Sequence, residues 1–173
     1  KDVDITCAGI NHQTWYISVK TDGVERKDEL YEILKNCERA PHESVRLDVM
    51  KHFGYFSTES NGHLSEYLMW YRKNRDYLGS WIDFSKWEQG ETAGYLRVCK
   101  EGRNWFETDF PNWLKAPALV YKEESRSIEH GSRIVEAIET GRIYRGHFNV
   151  MNEGCITNIP YECVVEVPCF ADK

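Results

Sequence analysis

The sequence lacks several features that would each assign it to a particular class of protein. None of its apolar runs approaches the ~20 residues that a transmembrane helix needs, so we expect no contact with a membrane. The segment Lys1–Asp4 has no apolar core, so no signal peptide is predicted. The six cysteines are scattered and form no C-x-x-C pair, which disfavours a zinc site and favours reduced thiols in a cytoplasmic protein.

Positive charge is also scarce. The chain has 22 basic against 28 acidic residues, a net charge of −6, and nucleic-acid binders usually present a basic face. We therefore expect no nucleic-acid partner. With 173 residues, 41% of them hydrophobic, the chain is long enough for one domain with a real core and too short for two ordinary ones.

Hydrophobic periodicity predicts strands and helices that mix without a regular βαβ alternation, which favours an α+β domain over residues 1–173. One short helix is expected to bury Leu30, Ile33 and Leu34, and the next to bury Leu47, Met50 and Phe53. The predicted strands cover Asp4–Ile10, Trp15–Lys20, Ile143–Met151 and Glu162–Cys169, an apolar strand starts at Gly54, and the main helices cover Lys27–Cys37, Ser44 to Gly54 and Glu124–Thr140.

The polar pair Asn11-His12 stands between the first two predicted strands, in the stretch CAGINHQTWY. Side chains at such a junction can converge on a ligand. A histidine there is either a ligand or catalytic group, or a core residue that is hydrogen-bonded to a backbone carbonyl. The local sequence leaves both interpretations open.

A second group of polar side chains lies in GYFSTESNGHLSEY, where Tyr55, Glu59, His63, Glu66 and Tyr67 fall within 13 positions. These residue types bind sugar hydroxyls, transfer protons or ligate metals. The same residues could equally cover the outside of a helix.

Tryptophans concentrate in the middle of the chain, where no regular period is visible between Gly90 and Phe110. We predict an aromatic loop that either stacks on a sugar ring or forms a subunit interface. The five residues concerned are Trp70, Trp81, Trp87, Trp105 and Trp113.

Four stretches in a fixed order resemble one family. CAGINH, GYFSTESNGHLSEY, SIEHGSRIVEAI and NVMNEGCITNIPYECVVEVPC are similar to the NAD-dependent glycoside hydrolases of family 4, in the α-galactosidase branch. The resemblance implies the C-terminal domain of an enzyme related in fold to lactate and malate dehydrogenases. Since no G-x-G-x-x-G occurs here, the N-terminal Rossmann domain of the family is expected to lie outside this sequence.

The resemblance also implies a mechanism. NAD oxidises the sugar at C3, a base removes the proton at C2 with the help of Mn²⁺, the glycosidic bond is eliminated and water adds. Family 4 is an exception to the usual pair of catalytic carboxylates. The expected partner is an α-galactoside, in an enzyme that forms a homo-oligomer.

Individual roles follow from the same resemblance. His12 is expected to ligate the metal, whereas the cysteine ligand of the family lies in a C-H-S segment that this sequence lacks, and Cys7 does not replace it. Tyr55 is the candidate base, with Tyr67 as the alternative. The residues expected to bind substrate or shape its pocket are Asn11, Glu59, His63, Glu66 and Asn158.

Departures from the family pattern leave the sugar open. Asn61-Gly62 stands where a Ser-Glu pair is usual, at an expected specificity position. An α-galacturonidase or α-glucuronidase would need a cation for the substrate carboxylate, and Arg97 or Arg103 could supply it. A non-catalytic carbohydrate-binding or oligomerisation module is the remaining alternative.

Overall fold

A computed structural model, which describes residues 2–84, 94–118 and 126–173, has an antiparallel sheet at its centre. The order of the strands is β3-β2-β1-β5-β4, and each recorded pairing is antiparallel. The last two strands, which the sequence predicted, pair with each other along their whole length. The strands are β1 (Val3–Ile10), β2 (Gln13–Thr21), β3 (Val24–Glu25), β4 (Tyr144–Met151) and β5 (Val164–Ala171).

Helices account for most of the remaining described chain, so the predicted α+β class is confirmed. A short 3₁₀ helix, Ala40–Glu43, lies between the first two α-helices. None of the helices in the described ranges is long and apolar enough to cross a membrane. The α-helices are α1 (Lys27–Asn36), α2 (Ser44–Phe53), α3 (Asn61–Tyr67), α4 (Arg75–Gly79), α5 (Gly94–Thr108), α6 (Phe110–Trp113) and α7 (Gly131–Thr140).

Three sequence predictions need correction. The predicted aromatic loop contains helix α5 (Gly94–Thr108), so the absence of a regular period was the wrong interpretation there. The helix predicted from Glu124 begins only at Gly131, and residues 119–125, like Trp87, lie outside the described ranges. The strand predicted from Gly54 is reduced to a single bridge at Ser57.

The main core forms where α3 packs across α2. Val45 and Val49 of α2 are fully buried against Leu64 and Leu68. The sequence prediction for α2 is confirmed for Met50, which is buried in a second core cluster, and wrong for Phe53, which is 60% exposed. Leu47 is partly buried against that cluster. The face of α2 that α3 covers was not predicted.

Helix α1 packs on the sheet through Tyr31, not through the predicted Leu30 and Ile33, which are exposed. The Tyr31 hydroxyl donates to the carbonyl of Tyr16 at 3.2 Å and accepts from the N–H of Phe56 at 2.8 Å. A tyrosine satisfies these backbone groups, whereas an aliphatic side chain would leave them unpaired.

The turn between β1 and β2 is tight, because Ile10 pairs with Gln13 and only Asn11 and His12 lie between them. His12 has a φ of 63°, in the left-handed region that non-glycine residues rarely adopt. Gly9 lets the two strands approach closely at this end. A Cβ atom on Gly9 would lie 2.2 Å from the Gln13 carbonyl oxygen.

The first prediction concerns this close approach. We expect Gly9→Ala to cost about 1–3 kcal/mol of unfolding free energy, because backbone atoms of Gln13 must move to relieve the overlap. Chemical denaturation measures the change. The matched control is Gly102→Ala in α5, where no atom lies within 4 Å of the new Cβ and we expect no loss. Equal stability of the two variants would contradict this account of the turn.

Candidate functional site

Backbone pairing brings the TESNGH segment to the β1–β2 turn. Trp15 forms an antiparallel bridge with Ser57. The N–H of Tyr16 donates to the carbonyl of Phe56 at 3.0 Å, and the N–H of Thr58 donates to the carbonyl of Thr14 at 3.0 Å. In an antiparallel pair, moving back two residues on one strand means moving forward two on the other. Glu59 therefore arrives beside the turn that holds His12.

Helix α3 begins directly after this segment and presents its polar face to the turn. His63, Glu66 and Tyr67 are spaced i, i+3 and i+4, so they share one side of the helix. Leu64, on the adjoining side of the helix, is fully buried in the core. The packing of Leu64 thereby fixes the direction of the polar face.

His12, Glu59 and His63 meet at the turn. His12 Nδ1 lies 2.8 Å from Glu59 Oε2 and 3.2 Å from His63 Nε2. The Tyr67 ring stacks on the His12 ring at a centroid distance of 5.2 Å and 12° between planes. These three residues, with Tyr67 against them, are called the histidine cluster below.

Carboxylates fix the orientation of both rings. His63 Nδ1 lies 2.5 Å from Glu66 Oε2, as His12 Nδ1 lies close to Glu59. Donation from each Nδ1–H to its carboxylate makes both Nε2 atoms acceptors, and the Nε2 of His63 faces His12 Nδ1. A histidine that binds a metal is usually held in this way by a carboxylate.

Arg72 supports the cluster from behind α3. Its guanidinium lies 3.6 Å from Glu66 and donates to Ser65 Oγ at 3.1 Å and to the Gly62 carbonyl at 3.3 Å. The sequence did not reveal this role of Arg72, because the residue lies beyond the motif. Its spacing of six residues from Glu66 does not correspond to one face of a helix.

The pKa of Glu59 reflects competing influences. Burial raises the pKa, but hydrogen bonds from His12 and from the N–H of Ser60, together with the His63 charge, outweigh it and hold the pKa below its ordinary value. Glu59 is therefore an ionised carboxylate that faces two imidazoles.

This arrangement has the chemistry of a metal centre. His12, Glu59 and His63 each offer one donor atom for a metal, and the three atoms lie within 4.8 Å of one another. They form the one such group of histidine, cysteine and carboxylate side chains within residues 2–84, 94–118 and 126–173. Two imidazoles and a carboxylate suit Mn²⁺ and other first-row divalent ions. The donor set therefore fits a divalent metal.

The predicted site residues are distributed unevenly around this centre. Glu59, His63 and Glu66 are brought to His12, as is Tyr67. Asn11 is exposed in the turn itself, and Asn158 is exposed in the loop between β4 and β5. That loop is organised by the buried Asn152, whose side-chain N–H groups donate to three backbone carbonyls.

Tyr55 lies apart from the hydrogen bonds of the cluster. It is 39% exposed, with Lys27 Nζ 4.5 Å from its ring centroid, and it lines a neighbouring cavity. The Cys7 thiol is buried in β1, where desolvation and the charge of Glu166 raise its pKa to about 11. A thiol that resists ionisation is a poor metal ligand.

Asn61 has a structural task at the expected specificity position. Its side-chain oxygen accepts from the N–H groups of Val45 at 2.8 Å and Arg46 at 3.3 Å, at the start of α2. Asn61 therefore fixes α2 relative to α3. The side chains of Arg97 and Arg103 lie outside the described part of the chain.

Comparisons with known proteins agree on one family. Residues 7–173 match the model of the family 4 glycosyl hydrolase C-terminal domain. An α-galactosidase of Rhizobium meliloti (strain 1021) is 52% identical over 99% of this chain, and one of Bacillus subtilis (strain 168) is 37% identical over 96%. The aligned parts cover 36% and 37% of those proteins, so the chain spans about a third of their length.

Solved structures share the fold at low sequence identity. A 6-phospho-β-glucosidase from Thermotoga maritima, solved with manganese, NAD⁺ and glucose-6-phosphate, has a TM-score of 0.59 and 21% identity over 99% of this chain and 37% of its own. A 6-phospho-α-glucosidase from gut microorganisms, in complex with NAD and glucose-6-phosphate, has a TM-score of 0.60 and 19% identity, covering 99% and 38%.

The second prediction follows from Glu59. Because its folded-state pKa is lowered, its contribution to stability is present above the ordinary value of 4.5 and is lost as the pH falls through the lowered pKa. Glu59→Gln removes this contribution. We expect wild type to be the more stable near about pH 6 and the difference to shrink towards about pH 3 in denaturant titrations. A difference that is independent of pH would contradict the ionised pairing.

Proposed function

The chain belongs to glycosyl hydrolase family 4. We propose that it is the sugar- and metal-binding part of an NAD- and Mn²⁺-dependent α-galactosidase. The identity of 52% to an α-galactosidase supports the choice of sugar. The histidine cluster is the observation that carries the proposal, because two imidazoles and a carboxylate meet at His12, the residue that the family resemblance implies as a metal ligand.

His12 and His63 would hold the metal through Nε2, and the Glu59 carboxylate would add charge and an oxygen donor. A divalent ion held there would supply a Lewis acid for a hydroxyl or carbonyl oxygen of the sugar. Glu66 holds the His63 ring in its tautomer, and Arg72 in turn holds Glu66. We thus propose Glu59 and His63 as metal ligands, whereas the family resemblance implied that they bind substrate or shape its pocket.

NAD binding is proposed for the longer protein. The 173 residues contain no Gly-x-Gly-x-x-Gly fingerprint, so we assign none of them to the cofactor and derive no step through it.

A tyrosine is proposed as the base that accepts the proton at C2. Tyr55 is the candidate from the sequence, and Tyr67 is the alternative. The stacking of Tyr67 on His12 favours Tyr67, since the base must reach the C2 proton of a sugar held beside His12. Tyr55 instead lines the neighbouring cavity.

The remaining proposals concern the residues that contact the substrate and the cellular compartment. Asn11, exposed beside His12, and Asn158 would contact hydroxyl groups of an α-galactoside. We propose a cytoplasmic enzyme, which agrees with the free thiols of the six cysteines.

A second function, an oligomerisation module, is favoured by one surface. Apolar side chains in α5 and directly after α6 are exposed, including Phe106 at 64% and Leu114 at 72%. Exposed patches of this kind mark interaction sites. Within the leading proposal, the same surface would join subunits of a homo-oligomer.

The third prediction tests the function. The full-length protein that contains this chain should hydrolyse nitrophenyl α-galactoside only when NAD⁺ and Mn²⁺ are both present. Activity on the α-galacturonide alone would keep the mechanism and change the sugar. Inactivity on both substrates with both cofactors present would favour the binding module.

The fourth prediction separates the two tyrosines. Tyr67→Phe should slow exchange of the C2 proton with solvent deuterium by about 10²-fold or more, the size of a lost general base. Tyr55→Phe, the matched variant, should retain exchange. The reverse pattern would restore Tyr55 as the base, and normal exchange in both variants would exclude both.

A further inference from the structure

Arg46 of α2 holds the segment that leads to Glu59. Its Nη2 and Nε atoms both donate to the carbonyl of Ser57, at 2.6 and 3.2 Å. Its Nη1 atom donates to Glu43 Oε2 at 3.0 Å, and the guanidinium carbon lies 4.1 Å from the centroid of the Phe56 ring. The guanidinium is thus fixed by a carbonyl, a carboxylate and an aromatic face.

The alternation of an extended chain explains why the Ser57 carbonyl needs this partner. The carbonyl of Phe56 and the N–H of Thr58 face β2 and bond there, so the carbonyl between them faces away from β2. Ser57 is fully buried, and the Arg46 side chain is only 15% exposed. A buried carbonyl is costly to leave unpaired. Arg46 therefore satisfies the outer edge of the segment, as β2 satisfies the inner edge.

Ser57 connects this restraint to the histidine cluster. Its hydroxyl accepts the N–H of Glu59 at 3.1 Å, and the Glu59 carboxylate lies 2.8 Å from His12 Nδ1. Within the described part of the chain, the side-chain hydrogen bonds of Arg46 go to Ser57 and Glu43. An effect of Arg46 on the cluster therefore passes through Ser57.

Helix α3 is anchored without the Arg46 side chain. Leu64 is fully buried against α2, and the Asn61 side chain accepts backbone N–H groups at the start of α2. These contacts remain when the side chain of Arg46 is replaced, so we expect His63 to keep its place. Removal of the guanidinium should loosen Glu59 selectively.

We propose that Arg46 is a positioning residue for the candidate metal centre, and that it holds Glu59 at His12 through the carbonyl and the hydroxyl of Ser57. The inference rests on the proposed function, since it takes Glu59 as a metal ligand. It makes the affinity for a divalent ion depend on a guanidinium that lies outside the set of ligands.

The test is a calorimetric titration of Mn²⁺ into the full-length protein and its variants. Arg46→Met keeps an apolar side chain against Phe56 but removes every donor, so the Kd should rise about tenfold, the lower end of the range for a residue that supports a ligand. Arg46→Lys keeps a charged donor without the planar fork and should recover part of the loss. Arg26→Met is the matched control, because Arg26 forms an exposed ion pair with Glu29.

The control should bind Mn²⁺ as wild type does. Unchanged affinity in Arg46→Met, or equal losses in Arg46→Met and Arg26→Met, would overturn the inference.

A double-mutant cycle separates positioning from a general loss of stability. In the Glu59→Gln background the carboxylate is already gone, so Arg46→Met should change the Kd by less than about twofold. A loss of the same size in both backgrounds would overturn the inference. The cycle is repeated with Arg46→Lys, which tests the role even if Arg46→Met does not fold.

Amide hydrogen exchange in the metal-free protein separates this inference from the proposed function. Arg46→Met should speed exchange of the Tyr16 and Thr58 N–H groups, which close the bridge, at least about tenfold more than exchange at Val49 in the core. If the protein binds no Mn²⁺ but exchange behaves in this way, the proposed function fails and the role of Arg46 in placing Glu59 stands. Mn²⁺ binding with equal acceleration at the bridge and in the core would overturn the role of Arg46 alone.

Discussion

The short backbone pairing between Trp15 of β2 and Ser57 is the constraint on which the site depends. It joins the segment that leads into α3 to the strand that leaves the His12 turn, so residues 47 positions apart meet at 2.8 Å. Ser57 and Thr14 are both buried here, and their hydroxyls bond to local backbone groups. A slip of one residue in this pairing would direct Glu59 away from the turn.

His12 stands under backbone strain at the centre of the site. A left-handed conformation costs a residue other than glycine about 1–3 kcal/mol, and such strain concentrates at functional positions. The hydrogen bond to Glu59 and the stacked Tyr67 ring hold the imidazole in place. The structure thus uses its sheet and helix packing to hold two imidazoles and a carboxylate together.

The sequence predicted the secondary structure near the site better than the packing. The two strands that flank Asn11-His12 followed from residue alternation, and the family resemblance singled out His12 as a candidate. On α2, the burial of Met50 was predicted, whereas that of Val45 and Val49 was not, because it depends on where α3 crosses. The sequence also did not predict that Tyr67, rather than Tyr55, contacts His12. That contact depends on the Trp15–Ser57 bridge, a single long-range pairing that no local sequence pattern encodes.

The account depends most on the claim that the histidine cluster binds a divalent metal. The direct measurement is a calorimetric titration of Mn²⁺ into the full-length protein and its His63→Ala and His130→Ala variants, without substrate. His130 is the control, since it bonds to Tyr144 beside α7. Loss of His63 should weaken Mn²⁺ binding by at least about 10–100-fold, the range for loss of a residue that only supports a ligand, whereas the His130 variant should bind as wild type. Unchanged affinity in His63→Ala would contradict the account.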